Sequence, residues 1–373
     1  MKRVLQIFAR LDRGGLETFV MNLYRSIDRN NVQFDFLLCI PGGGYEKEAR
    51  ELGANIYYLP QRNAGIWQYH KALNQFFKDH ARDYIAIHQH ASSLSSIEPQ
   101  YYAWKYNIPK RILHAHSSSI ASSVKANSLH KLVHNISKLS LPILTTHFLG
   151  CSDKAIDWLF KGAVRKSQIR IINNGINISQ FIFNKNIRQK VRNEFGLVDE
   201  LVIGHVGSFI KVKNHVFIIK VFTELLKSIP TAKLLLVGDG TLKSQIYEQI
   251  KKARIQNSVI LTGIRVDVNN LLQAMDVILM PSLFEGLPVS LVEAQASGLP
   301  LVLSDTISRD IKLSDYVQFL SLEDSLQNWV KAIMNFSQVP RNEKADKLIK
   351  LSGYDIDRIA EMMIDLYIGT TNA

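Results

Sequence analysis

Cysteine is nearly absent: the 373 residues hold two, Cys39 and Cys151. Two thiols build neither a disulfide framework nor a thiolate metal cluster. They suit a reducing compartment, each packing as a small hydrophobe. Long apolar runs are missing as well. Met1-Lys2-Arg3 leads into a short apolar stretch ended by Arg10, Asp12 and Arg13, too short for a secretion signal, and no later run approaches a membrane span. A cytoplasmic protein is therefore expected. The first strand-loop-helix lacks G-x-G-x-x-G, which argues against an NAD oxidoreductase. No internal repeat or low-complexity tract appears. No basic stretch alternates with aromatics as a nucleic-acid platform does, so nucleic acid is not an expected partner.

What is present is ordinary globular material with an uneven charge. The hydrophobic share is 46%, and the length suits two domains. The net charge is +12, and residues 1–180 carry 23 Lys/Arg against 12 Asp/Glu, leaving 22 against 21 for residues 181–373. The basic excess thus belongs to the first half, where an anionic substrate or an anionic membrane surface could answer it.

Strands and helices alternate. Apolar strands are expected at Val4–Phe8, Phe34–Cys39, Asn55–Leu59, Tyr84–His88 and Arg111–His114, with helices near Glu46–Leu52, Trp67–Asp79 and Ile97–Tyr106. Further strands are expected at Thr145–Cys151, Ile169–Ile172, Leu201–Gly207, Lys233–Val237, Val259–Leu261 and Val277–Met280. Such alternation implies parallel sheets with helices on both faces, and ligands of such sheets gather at the carboxyl ends of the strands.

The most informative stretch runs from Pro281 to Pro300. A turn containing Gly286 and Leu287 follows the strand, Pro288 stands at the expected first helical position, and Val289–Ala296 read as helix until Gly298 and Pro300 stop it. The free N–H groups and positive dipole end of such a helix suit a phosphate. Glu285 in the loop can accept hydrogen bonds from sugar hydroxyls. Glu293, with seven residues between, can hold a ribose diol from the inward helix face. Two solvated glutamates are the plain alternative. Near the N-terminus, Gly14-Gly15-Leu16-Glu17 opens a helix whose glycines permit close backbone approach, or simply a tight turn. His114-Ala115-His116 ends a strand. The pair could ligate a metal, but no third or fourth ligand lies nearby in sequence, and a loop cap is the other option. In residues 120–142, Leu129, Leu132, Val133, Ile136 and Leu139 fall on one helical face among Lys125, His130, Lys131, His134 and Lys138. That is either a basic amphipathic helix lying in a membrane interface or a helix packing on the sheet.

Taken together, Glu285-Gly286-Leu287-Pro288 with Glu293, Gly14-Gly15-Leu16-Glu17, Cys151-Ser152-Asp153-Lys154-Ala155 with Trp158-Leu159-Phe160, Asn174-Gly175-Ile176-Asn177 and Lys213-Asn214-His215 resemble the ordered motifs of retaining glycosyltransferases of family 4, in particular those of capsular and exopolysaccharide biosynthesis. The resemblance implies an α/β GT-B fold: two Rossmann-like parallel-sheet domains facing across a cleft, residues 1–180 on the acceptor side and 181–354 binding the donor, with a last helix, 355–373, crossing back to the first domain. It implies transfer of a sugar with retention, without metal or cofactor, from a nucleotide sugar, most simply a UDP-sugar, to a lipid-linked or growing saccharide. It implies that His116 approaches the transferred sugar with His114 in support, and that Gly14 and Gly15 face the donor phosphates. Lys213 would neutralise the diphosphate, helped by the helix start at Gly286, Leu287, Pro288 and Val289. Gly238 and Gly263 would border the nucleotide. It also favours peripheral contact of residues 120–142 with the anionic cytoplasmic membrane face. One departure stands out: Ser208 occupies a position where the family carries arginine, so it offers a hydrogen bond but no charge. Lys211 is a candidate to compensate. A sugar-nucleotide epimerase on the same fold, or a non-catalytic nucleotide-sugar-binding protein, are the alternatives. No motif encodes the sugar, the acceptor or the linkage.

Overall fold

A computed structural model of the chain describes residues 1–116 and 128–369. Residues 120–127 of the expected basic segment, Lys125 among them, lie outside the described residues, as do the side chains of Leu129, His130 and Lys131. The chain divides into two compact units, residues 1–175 with 356–373, and residues 176–355. The first division falls where Ile176, Ile178 and Phe181 enter the second unit's core and the Ile176 amide donates to Tyr354 O at 2.9 Å.

The first unit holds seven strands: β1 (Lys2–Ile7), β2 (Val32–Leu38), β3 (Ile56–Tyr58), β4 (Tyr84–Ala91), β5 (Lys110–Ala115), β6 (His147–Gly150) and β7 (Ile169–Ile171). All pair in parallel, in the order β3-β2-β1-β4-β5-β6-β7. Their alternation is visible in one face. Val4 on β1, Ala86 on β4 and Ile112 on β5 pack into a core with Phe19, Tyr24, Phe34 and Phe36, covered by the Gly15–Ser26 and Ile356–Ile368 helices. Each buried aromatic of this kind contributes about 1.5–3 kcal/mol of transfer free energy. Two residues further along the same strand faces, the apolar series gives way to Gln6, His88 and His114, all buried. The Ile356–Ile368 helix is held at its carboxyl end by the buried Lys110, whose ammonium donates to Leu366 O and Tyr367 O at 2.9 and 3.0 Å and also to Gly369 O. These are the unpaired carbonyls every helix end leaves over.

The second unit holds β8 (Val202–Val206), β9 (Lys233–Val237), β10 (Val259–Gly263), β11 (Val277–Met280), β12 (Leu301–Ser304) and β13 (Val317–Leu320). They too are parallel, in the order β10-β9-β8-β11-β12-β13, with a core on each face, one of them built on the fully buried Trp329. β12 and β13 are four-residue strands that the sequence reading does not resolve from loop, because so short an apolar run carries little periodicity. The same reading ends β4 at His88, whereas the strand continues to Ala91. In both sheets the chain winds outward one way and then the other. The reversal falls between β1 and β4 in the first sheet and between β8 and β11 in the second. Crevices at the carboxyl ends beside such reversals are where open α/β sheets bind ligands.

Candidate active site

At the reversal of the second sheet, the loops after β8 and β11 are tied to each other. Asn214, in the left-handed region at φ 55°, donates its side-chain amide to Pro281 O at 3.0 Å, and the Leu283 amide donates to Val212 O at 2.8 Å. These ties set Lys213 beside Glu285, and the two form an ion pair of 2.7 Å with both side chains largely out of solvent. Ser208 is exposed at the head of the same loop, and Lys211 is exposed two residues before Lys213. The Gly238 turn closes over the loop: the Phe209 amide donates to Asp239 O at 2.9 Å, and Gly238, at φ 140°, has no room for a Cβ against Gly207 O. Its amide donates to Gly263 O at 3.0 Å, so Gly238 and Gly263 adjoin. Ser208, Lys213, Gly238, Gly263 and Glu285 thus share one sheet edge.

The Val289–Ala296 helix starts at this edge, where the Ser290 hydroxyl donates to Val206 O at 3.4 Å. Pro288 is the cap residue rather than the first helical one, with Val289 following it as the first turn. Leu287 and Val289 turn their side chains into the core, so what they can offer a ligand is backbone. The space beside Gly286 is open. The carboxyl of Glu293, a half-buried residue, has no hydrogen-bond or ion-pair partner among the described residues, and burial pushes it up to about 7. Behind Lys213 lie His205 and His215, both buried, with ring centroids 4.8 Å apart. Burial, with the charge of Lys213 adding, lowers His215 to about 4, and burial holds His205 well below the ordinary range.

The first sheet's edge is built differently. Gly14 caps the Gly15–Ser26 helix, with Thr18 N donating to Gly14 O at 2.9 Å. One turn into that helix, the Phe19 ring centroid lies 6.0 Å from that of His116 and 5.8 Å from that of His114. The glycine loop's helix and both expected histidines are therefore together. Joining them are two residues the sequence reading passed over, His88 and His90. In parallel register His90 is the partner of His114, and alternation puts His88, His90, His114 and His116 on one face. His90 Nδ1 lies 2.8 Å from His116 Nε2, and His88 Nε2 lies 3.2 Å from His114 Nδ1. Burial lowers His116 to about 3 and keeps the other three well below the ordinary imidazole range, with neighbouring rings adding to the effect. The signal was available: His-x-His occurs in both β4 and the end of β5, and adjacent strands can unite two such pairs. His88, His90 and His114 also have ligating nitrogens within 4.8 Å of one another, so the third metal ligand absent near His114 in sequence exists in space.

Two family models match the chain, Glycosyltransferase Family 4 over residues 13–180 and Glycosyl transferases group 1 over residues 187–351. The protein named glycosyltransferase EpsF of Bacillus subtilis (strain 168) is 30% identical over 98% of this chain and 96% of its own length. The chain belongs to glycosyltransferase family 4. A second relative, the UDP-Gal:alpha-D-GlcNAc-diphosphoundecaprenol alpha-1,3-galactosyltransferase of Escherichia coli, is 24% identical, covering 91% of this chain and 90% of that enzyme. Among solved structures, Anabaena HepE in complex with UDP-glucose superposes with a TM-score of 0.76 at 15% identity, over 98% of this glycosyltransferase and 99% of HepE. The α/β GT-B fold expected from the sequence is the fold of this glycosyltransferase.

Proposed function

We propose that this glycosyltransferase moves a sugar from a UDP-sugar to a lipid-linked oligosaccharide or growing polysaccharide, with retention of configuration and without a metal or cofactor. The observation that carries the reading is the ion pair of Lys213 and Glu285 beside the start of the Val289–Ala296 helix. The leaving diphosphate needs positive charge in a site shielded from water, and Lys213 with the helix N-terminus supplies it. An arriving diphosphate competes with Glu285 for the Lys213 ammonium, which releases the carboxylate to the sugar hydroxyls. Glu293 holds the ribose, and Gly238 and Gly263 leave room for the nucleotide. In the other unit, His116 meets the transferred sugar and Gly14 and Gly15 approach its phosphates. The relatives support the same reading: HepE is seen with UDP-glucose, and the Escherichia coli enzyme is named for UDP-Gal and a diphosphoundecaprenol saccharide.

A lipid-linked acceptor places the enzyme at the cytoplasmic membrane face. The Ser128–Lys138 helix supports this. It is mounted through the buried His134, which accepts from the Leu94 amide at 3.2 Å and stacks on Trp158 at 4.6 Å. Its apolar residues Leu132 and Ile136 point outward, 55% and 57% exposed, and Leu139 and Ile143 beyond the helix are 81% and 62% exposed. Lys138 is not a free cation, since its ammonium donates to Lys161 O at 3.3 Å. Docking therefore rests on the apolar residues more than on that lysine. Among the described residues no helix is long and apolar enough to cross a membrane.

The test is a thermal-shift screen of UDP, GDP, ADP and their sugars, followed by transfer to a lipid-linked saccharide with chelator present and NMR assignment of the product anomer. A UDP-sugar that raises the melting temperature and yields a product of the donor's anomeric configuration fits the proposal. Donor turnover without acceptor would point to an epimerase. No shift with any nucleotide would point to a non-catalytic protein.

A further inference from the structure

The four histidines of the first unit are not isolated. They form one hydrogen-bond chain through Gln6 and Tyr367, residues 361 positions apart in sequence. Its donors can be followed atom by atom. Gln6 Oε1 only accepts, so His90 Nε2, 2.9 Å away, carries a proton. His90 is neutral, which leaves its Nδ1 bare, so His116 Nε2 is the donor across 2.8 Å. His116 is neutral too, which leaves its own Nδ1 bare. That nitrogen is shielded from solvent and has no hydrogen-bond partner among the described residues. On the other arm, Gln6 Nε2 donates to the Tyr367 oxygen at 3.4 Å, and the Tyr367 hydroxyl donates to His88 Nδ1 at 2.7 Å. His88 Nε2 then donates to His114 Nδ1 at 3.2 Å. The orientation of a single amide sets the direction of both arms. If Gln6 turned over, the donor at every link would reverse and His116 would carry its proton on Nδ1.

We propose that Gln6 and Tyr367 are positioning residues that hold His116 as the Nε2–H tautomer, so that its bare Nδ1 is the acceptor offered to the donor sugar. This rests on the reading that His116 meets that sugar. A lone pair there accepts a sugar hydroxyl and presents no positive charge to a sugar becoming oxocarbenium-like. An N–H at the same place would aim its positive end at the reacting centre. The Phe8 and Phe19 rings, with centroids 5.6 Å from His90 and 6.0 Å from His116, pack around this arm of the chain. The C-terminal helix thereby acts on the site through Tyr367 without touching substrate.

The experiment is long-range proton–nitrogen NMR of the full chain with ring-labelled histidine, alongside steady-state kinetics. The wild-type spectrum should show His116 protonated on Nε2 and bare on Nδ1. Gln6→Leu and Tyr367→Phe should each give a mixture of His116 tautomers and lower kcat about tenfold, the worth of one buried hydrogen bond, with little change in donor KM. Gln6→Glu keeps an acceptor facing His90, so it should retain the tautomer and most of kcat. A wild-type His116 carrying its proton on Nδ1 overturns the proposal, as does an unchanged tautomer in both Gln6→Leu and Tyr367→Phe. Stoichiometric Zn²⁺ binding that turns one ring nitrogen of each of His88, His90 and His114 into a metal ligand, breaking the hydrogen-bond chain, also overturns it. Should Gln6→Leu fail to fold, the wild-type and Tyr367→Phe spectra decide. The underlying reading is tested separately by His116→Ala: full transfer in that variant removes His116 from the sugar site whatever the spectra show.

Discussion

The two sheet edges solve the same problem of placing polar groups out of water, and they do so with opposite electrostatics. At the β1/β4 reversal the polar groups are neutral: four imidazoles, an amide and a phenol in one hydrogen-bond chain, with His114 Nε2 and His116 Nδ1 left at its two ends without a partner among the described residues. At the β8/β11 reversal they are a cation and an anion in contact, Lys213 and Glu285, beside a helix N-terminus. Removing a charge from water is costly unless a partner offsets it. The first edge avoids the cost by staying neutral. The second meets it with an ion pair. On the proposed function each choice fits its ligand, since the leaving group is an anion and the reacting sugar is developing positive charge.

The contrast breaks most sharply at Lys213. Lys213→Ala removes the cation and leaves Glu285 without its partner, and kcat/KM for transfer should fall on the order of 10²–10³-fold. Glu285→Ala should abolish transfer while the melting temperature and circular dichroism show the fold intact. Near-normal turnover in either variant would mean that the charged edge does not carry the donor. A smaller effect sharpens the contrast from the other direction. Ser208→Arg adds a second cation to the charged edge and should tighten UDP binding about tenfold by calorimetry, the worth of one charge-assisted hydrogen bond. Weaker binding would show a pocket built without need of that charge.

Glu293 tests the principle within the second edge, because it is an acid with no partner. Its carboxyl is raised to about 7 by burial, so it is protonated below that pH and gains its full acceptor capacity above it. UDP affinity should therefore rise as pH rises through about 7, and Glu293→Gln should flatten the profile. For folding the sign is the reverse. A raised carboxyl pKa favours the native state at pH below the ordinary carboxylate value, and this is lost as pH rises through about 7, so Glu293→Gln should also flatten that loss in thermal melts. The smallest effect lies away from both edges. Ile136→Gln with Leu139→Gln should weaken binding to anionic vesicles severalfold without changing the melting temperature. Unchanged vesicle binding would return the first half's basic excess to the substrate.

Motifs that are contiguous were legible in the sequence. The stretch from Val277 to Ala296 is a strand-turn-helix whose chemistry, from Glu285 to Glu293, lies within a dozen residues, and the strand Val277–Met280 and the helix Val289–Ala296 fall where periodicity and the proline–glycine punctuation place them. His88 and His90 were not legible as site residues, because an alternating pair in a strand acquires meaning only from the strand beside it. Nor could sequence show that the exposed side of the Ser128–Lys138 helix is its apolar one, since the buried anchor is a histidine held by Leu94 N and Trp158.

By itself the sequence determined the α/β class, the family, and the residue types of the candidate site, because period, turn chemistry and motif spacing are local properties. Tertiary structure alone decided how those residues are charged and oriented. Pairing of β1 with β4 and of β4 with β5 brought Gln6, His88, His90, His114 and His116 together, and a helix from the far end of the chain supplied Tyr367. Loop-to-loop hydrogen bonds placed Lys213 against Glu285. Proton positions and ion pairs depend on distance and on exclusion from water, and neither exists until the strands are side by side.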